Sequence, residues 1–278
     1  MVLESIKAQW LEHHPLLSFC IGAIYTFLGY AVAWFFFRSD PSIPTLFLTT
    51  LLIVPSLITV LGQEERRESK VGLRHFLRNH ARIIEIYLFL FLGIFTAYLL
   101  LGFLAGTDSN IFRYQLNVLQ EQQGINPQQI TSFLQTTFQP DVGQFTGVLQ
   151  NDLGVALLLF ALSFFYGAGA IFLIVLNASV FASFVTYVLN ALAERSASFW
   201  AVLGIFSIHL LPEVAGFLLA AIAGGVVSKA AMQEKFLSER FKNVVRDALV
   251  LLCIACLLIV IGAYLEVFVT TRVFRGVF

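Results

Sequence analysis

The sequence predicts an all-α protein, a polytopic bundle of about seven membrane-spanning helices with an amphipathic helical segment on one side. Three observations predict it. Hydrophobic residues make up 58% of the 278 residues and the mean hydropathy is +0.84. Charged residues make up only 12%, about half the usual share for a soluble domain, too few to cover a water-facing surface. Apolar runs of roughly 20 residues, the length that crosses a bilayer core, recur along the chain. They follow one another closely, so 1–278 reads as a single membrane domain with one excursion into water.

The elements follow in order. Residues 1–15 are polar to amphipathic and carry no cleavable-signal pattern; they are expected to be retained as a short interfacial helix bearing Trp10. Spans are expected at 16–37, 43–62, 83–105, 149–166, 169–192, 199–227 and 247–270. The second contains Pro55, a kink or loose packing site. The fourth and fifth, separated by Tyr166-Gly167-Ala168-Gly169-Ala170, form either a tight hairpin or a re-entrant pair. The sixth exceeds one bilayer and contains Pro212, so it is tilted or broken there. Cys20, Cys253 and Cys256 all lie in apolar runs, with no disulfide framework or zinc pattern, and Cys253 and Cys256 read as packing.

Lys and Arg set the expected orientation. Residues 63–82 hold six of them and 228–246 hold five, Lys229, Lys235, Arg240, Lys242 and Arg246. The positive-inside rule places both segments, and the N-terminus, in the cytoplasm of a plasma-membrane protein. Their interspersed glutamates argue against a nucleic-acid surface and leave membrane lipids as the immediate surroundings. The segment 106–148, with Arg113 alone, falls outside. Its apolar positions Ile111, Tyr114, Leu116, Leu119, Ile130, Leu134 and Phe138 suggest two short amphipathic helices about a turn at Gly124-Ile125-Asn126-Pro127.

Ionisable groups at membrane depth are costly and mark candidate sites. They are Glu85, Asp152, His209, Glu213 and Glu266, with Asn151 and Asn177 as neutral companions. His209 and Glu213, four apart, share a helix face. They form either a structural pair bonded to Asn177 or to backbone freed by Pro212, or a proton or ion site, or two ligands of a metal site. A catalytic zinc takes three protein ligands, and this spacing supplies two, so no metal or cofactor is expected. Glu85 and Glu266 read as snorkelling to the interface, and Asn151 with Asp152 as the cap opening the fourth span.

Gly216, Ala220 and Gly224, with Gly225 beside them, form a small-residue ridge of the kind that lets helices approach closely in lipid. It serves packing within the chain, against Ala178-x-x-x-Ala182 and Ser179-x-x-x-Ser183, or a homodimer. No phosphate-binding loop, nucleophile elbow, arginine-rich voltage-sensing helix or inverted repeat is present.

The run NDLGVALLLFALSFFYGAGAIFLIVLNASVFASFV, then HLLPEVAGFLLAAIAGG, then a final apolar helix ending in AYLE, resembles the SpoIIM family, stage II sporulation protein M, over about 83–270. The third span, GIFTAYLLLG, fits the family's opening. Residues 1–82 then look like an addition to the shorter bacterial form, and the pattern is closer to archaeal members. Where the family reads Pro-His-Gly, this chain reads Ile208-His209-Leu210. The resemblance implies a non-enzymatic scaffold, since in spore-formers the family member joins a membrane complex with a peptidoglycan hydrolase. A protein partner would then bind at 106–148 or on a small-residue helix face. The alternatives from the residues are a channel or secondary transporter using His209, Glu213 and Asn177, and an intramembrane metal-dependent enzyme.

Overall fold

The computed structural model describes the backbone of residues 14, 16–71, 76–105, 110–123, 142–192, 198–235 and 238–277. Side chains are described for all of these but 59, 61–71, 76–80, 122, 123, 167–169 and 275. The expected interfacial helix at Trp10, the turn at 124–127 and the positions Ile130, Leu134 and Phe138 lie outside the described residues.

Nine α-helices are described: α1 (Leu16–Phe36), α2 (Ser42–Val71), α3 (Phe76–Ala105), α4 (Arg113–Gln123), α5 (Val142–Phe165), α6 (Gly167–Ala191), α7 (Phe199–Gln233), α8 (Glu239–Tyr264) and α9 (Thr271–Val277). A 3₁₀ turn (Asn110–Phe112) precedes α4, and a π segment (Leu265–Thr270) joins α8 to α9. Among the described residues, six helices are long and apolar enough to cross a membrane, and α2 adds the shorter apolar stretch Ser42–Ile58. The protein is a multi-pass helical membrane bundle.

Burial patterns show why these segments sit where they do. In α1 the buried residues Ser18, Ile21, Gly22, Tyr25, Thr26, Gly29 and Ala33 recur at helical spacing. The opposite face exposes Ile24, Leu28, Val32 and Phe35, an apolar face that lipid solvates. Several hydroxyls inside the bundle are bonded locally: Thr26, Thr50 and Thr186 each donate to the carbonyl four residues back. Helix α7 is different. Every residue from Gly216 to Val226 is buried, so it has no lipid face at that level and stands at the centre.

Glycines set the close crossings. Gly93 of α3 lies against the Phe19 backbone of α1, and a Cβ on Gly22 would come within 2.5 Å of the Leu90 carbonyl oxygen. Gly216 of α7 lies against Ala255 and Ile259 of α8, while Gly224 lies against the Phe160 carbonyl and Ser163 of α5. Of the expected ridge, Gly216 thus meets α8 and Gly224 meets α5.

Several boundaries differ from expectation. Residues 142–192 form two complete helices interrupted only at Tyr166, a hairpin and not a re-entrant pair. Helix α5 starts at Val142, so 142–148 belong to the span and not to the excursion. Helix α7 runs unbroken through Pro212. The last helix starts earlier, at Glu239, and the candidate span runs through the π segment to Phe274.

The 3₁₀ turn and α4 lie on one end of the bundle. The Asn110 amide donates to the Ser39 carbonyl (2.9 Å), and the Gln115 amide donates to the Ser179 hydroxyl (3.2 Å). Ile111 and Leu119 are buried as expected, but so is Gln115, between the half-buried Tyr114 and Leu116. Rings at the end of α3 and the start of α7 meet at the same end, Phe103 with Phe199. Helix α3 begins, and α7 finishes, at the other end, so the described residues of the basic stretches 63–82 and 228–246 share one end of the molecule.

Candidate functional site

The candidate site begins on α7. His209 and Glu213 are both buried and stand one turn apart, as their spacing predicts. Along a straight helix the exposed Trp200 and the half-buried Lys229 are about 44 Å apart at 1.5 Å per residue, close to a bilayer with its headgroups. Glu213 falls near the middle of that interval.

Helix α8 runs antiparallel to α7 and supplies the next group. Gly216 packs on Ile259, and three residues earlier on α7 Glu213 packs against Gly262, whose Cβ would lie 3.3 Å from the Glu213 Cβ. The same register carried one more turn brings Glu266 to the level of His209. There the chain widens into the π segment, and both the backbone N–H and the hydroxyl of Thr271 donate to the Glu266 carbonyl, five residues back. The segment turns Glu266 and Thr270 towards α7. His209 Nδ1 pairs with the Thr270 hydroxyl at 3.0 Å. One ligand atom from each of His209, Glu213 and Glu266 lies within 4.8 Å of the others. Glu266 does not snorkel to the interface; it points inward and is half-buried.

Helix α5 brings the fourth group. Its buried face reads Asp152, Ala156, Leu159 and Ser163. Ser163 lies against Gly224, and eleven residues earlier on both helices stand Asp152 and Glu213, again on the same faces. Asp152 lies within electrostatic range of both Glu213 and Glu266. It does not cap a helix start, because α5 begins ten residues before it. Its Oδ1 accepts from the Asn151 amide (3.2 Å), while Oδ2 is buried with no hydrogen-bond partner.

The other expected residues fall elsewhere. The Asn177 amide donates to the Leu173 carbonyl of its own helix (2.8 Å) and does not bond the His209–Glu213 pair. Glu85 forms a 3.1 Å ion pair with Arg82. Towards the α4 end the site is closed by apolar side chains. Phe206, one turn from His209, packs with Phe184 and Phe274 in a cluster with Val188, Leu192 and Val202.

Sequence reasoning missed Thr270 and Gly262. Their only local signals were a Thr-Thr step after an acidic residue and a Gly-Ala step inside an apolar helix. The metal argument also changes. Two candidate ligands were legible on α7, and tertiary structure brings the Glu266 carboxylate beside them.

No curated protein and no solved structure matches the chain. The family model described as SpoIIM, Stage II sporulation protein M, matches residues 18–271. That stretch takes in α1 and α2 as well as 83–270, and covers nearly all of the described bundle. The chain belongs to the SpoIIM family.

Proposed function

We propose that this SpoIIM-family membrane protein handles a cation at membrane depth, as a channel or secondary transporter, through His209, Glu213, Glu266 and Asp152. The carrying observation is that these three carboxylates cluster inside the bundle while none of them pairs with a Lys or Arg among the described residues. Burying a carboxylate without compensation costs several kcal/mol, and apolar residues of similar volume would serve packing better. A cation removes that cost, and acidic groups placed inside a membrane bundle commonly mark ion pathways.

The test is cation flux into liposomes containing the full chain. Glu213→Gln and Glu266→Gln are expected to lower flux at least tenfold while the protein stays monodisperse and folded. Flux equal to wild type in both variants would sink the reading.

A second reading, a scaffold or assembly partner, is favoured by the firmly held 110–123 segment. It is tied down through Ser39, Ser42 and Ser179 and exposes Arg113, Asn117, Gln120 and Glu121. On this reading that face, on the extracytoplasmic side of a plasma membrane, meets a protein partner. Photo-crosslinking from position 120 in native membranes that captures no protein would count against it.

A further inference from the structure

The chemistry of the cluster narrows the cation, and this narrowing rests on the cation reading above. We propose that the cluster binds one divalent transition-metal ion, with His209 Nε2, Glu213 and Glu266 as ligands and Asp152 facing the remaining position. Four observations support it.

The first is convergence. One potential ligand atom from each residue, an imidazole nitrogen and two carboxylate oxygens, already lies within 4.8 Å of the others, and around an ion with bonds of about 2.1 Å such atoms would stand about 3.4 Å apart. Small rotamer changes close the difference. The second is ligand type. Calcium and magnesium take oxygen ligands, whereas an imidazole combined with carboxylates suits zinc, manganese or ferrous iron. The third is charge. A divalent ion offsets two of the cluster's three carboxylates and a monovalent ion only one, so the divalent ion leaves the smaller net charge in a medium that penalises it.

The fourth is the surrounding shell. The Thr270 hydroxyl engages His209 Nδ1, which fixes the ring and leaves Nε2 for the metal. Asp152 is 4% exposed; its Oδ1 is held by Asn151, and its unpartnered Oδ2 is free to accept a hydrogen from a metal-bound water. Three protein ligands and a place for water are what an exchangeable site needs. Gly262 lies against the Glu213 backbone and Cβ, so α8 approaches α7 closely at the level of this residue.

The experiment uses the full chain in detergent or nanodiscs, stripped with chelator and titrated with Zn²⁺, Mn²⁺, Co²⁺, Mg²⁺ and Na⁺. One transition-metal ion per chain is expected, with Mg²⁺ and Na⁺ failing to compete at a hundredfold excess. Glu213→Gln and Glu266→Gln should each weaken binding at least a hundredfold, and Thr270→Val about tenfold to a hundredfold. Leu211→Ala, on the lipid-facing side of the same helix, should change nothing. Should a variant fail to fold, the wild-type Co²⁺ visible spectrum decides: bands that appear with cobalt and vanish with zinc support the site. No bands, or metal content well below one per chain, overturns it. Proton or sodium flux that needs Glu213 but proceeds without bound metal overturns this inference and leaves the transport reading standing. Stoichiometric zinc with no cation flux does the reverse.

Discussion

Asp40 shows how one side chain starts an element. It stands two residues before the first residue of α2, with Pro41 between, and its Oδ1 accepts the Ser42 N–H at 3.1 Å. Its other oxygen lies 3.8 Å from Arg113, a mostly exposed pair that adds little. Asp40→Ala should cost about 1 kcal/mol, read as a lower melting temperature in detergent, and Arg113→Ala should cost less. Gln115 tests the opposite case. Its amide donates to Ser179, but its Oε1 is buried without a hydrogen-bond partner, and the Ser179 hydroxyl already donates to Leu176. Gln115→Leu removes an unsatisfied oxygen and should stay within about 1 kcal/mol of wild type, or gain stability. A larger loss would mean that the amide bond dominates. The sequence offered Tyr114 and Leu116 as the apolar neighbours and gave no sign that the glutamine between them is buried.

At the scale of elements, the glycines separate into two kinds. A Cβ at Gly224 would meet the Phe160 backbone, whereas at Gly154, on the exposed side of α5, it would meet nothing within 4 Å. Gly224→Ala should therefore push α7 from α5 and destabilise by about 1–3 kcal/mol. Gly154→Ala should be neutral, or stabilise by up to about 1 kcal/mol through helix propensity. Thermal unfolding of both variants in one detergent makes the comparison. The spacing of Gly216, Ala220 and Gly224 led to the expectation of close packing, and in the structure Gly216 lies against α8 and Gly224 against α5. Spacing could not say that Gly216 and Gly224 look towards different helices. Nor could it show the π segment: its extra residue depends on packing of α8 and α9 against α7.

At the scale of the molecule, the described residues of the basic stretches 63–82 and 228–246 lie at one end, with α4 at the other. With Cys20, Cys253 and Cys256 replaced, single cysteines at Arg240→Cys and Gln120→Cys should label from opposite faces of sealed membranes with an impermeant maleimide. Labelling of both from one face would contradict the arrangement. The positive-inside rule further predicts that position 240 is the cytoplasmic one.

The sequence by itself determined that this chain lives in a membrane and roughly where each helix runs. Partition of a 20-residue apolar run into lipid is a local property, readable without neighbours. It also determined the pairing of His209 with Glu213, because helical periodicity holds over one turn. Tertiary structure alone decided what that pair meets. Glu266 reaches it through the antiparallel register of α8 and a π turn, and Asp152 through the matched faces of α5 and α7. A side chain's direction advances about 100° per residue, so a shift of one residue in register or one bulge in a helix redirects it. The seven-residue difference at the start of α5 alone turned an expected helix cap into a buried member of the site.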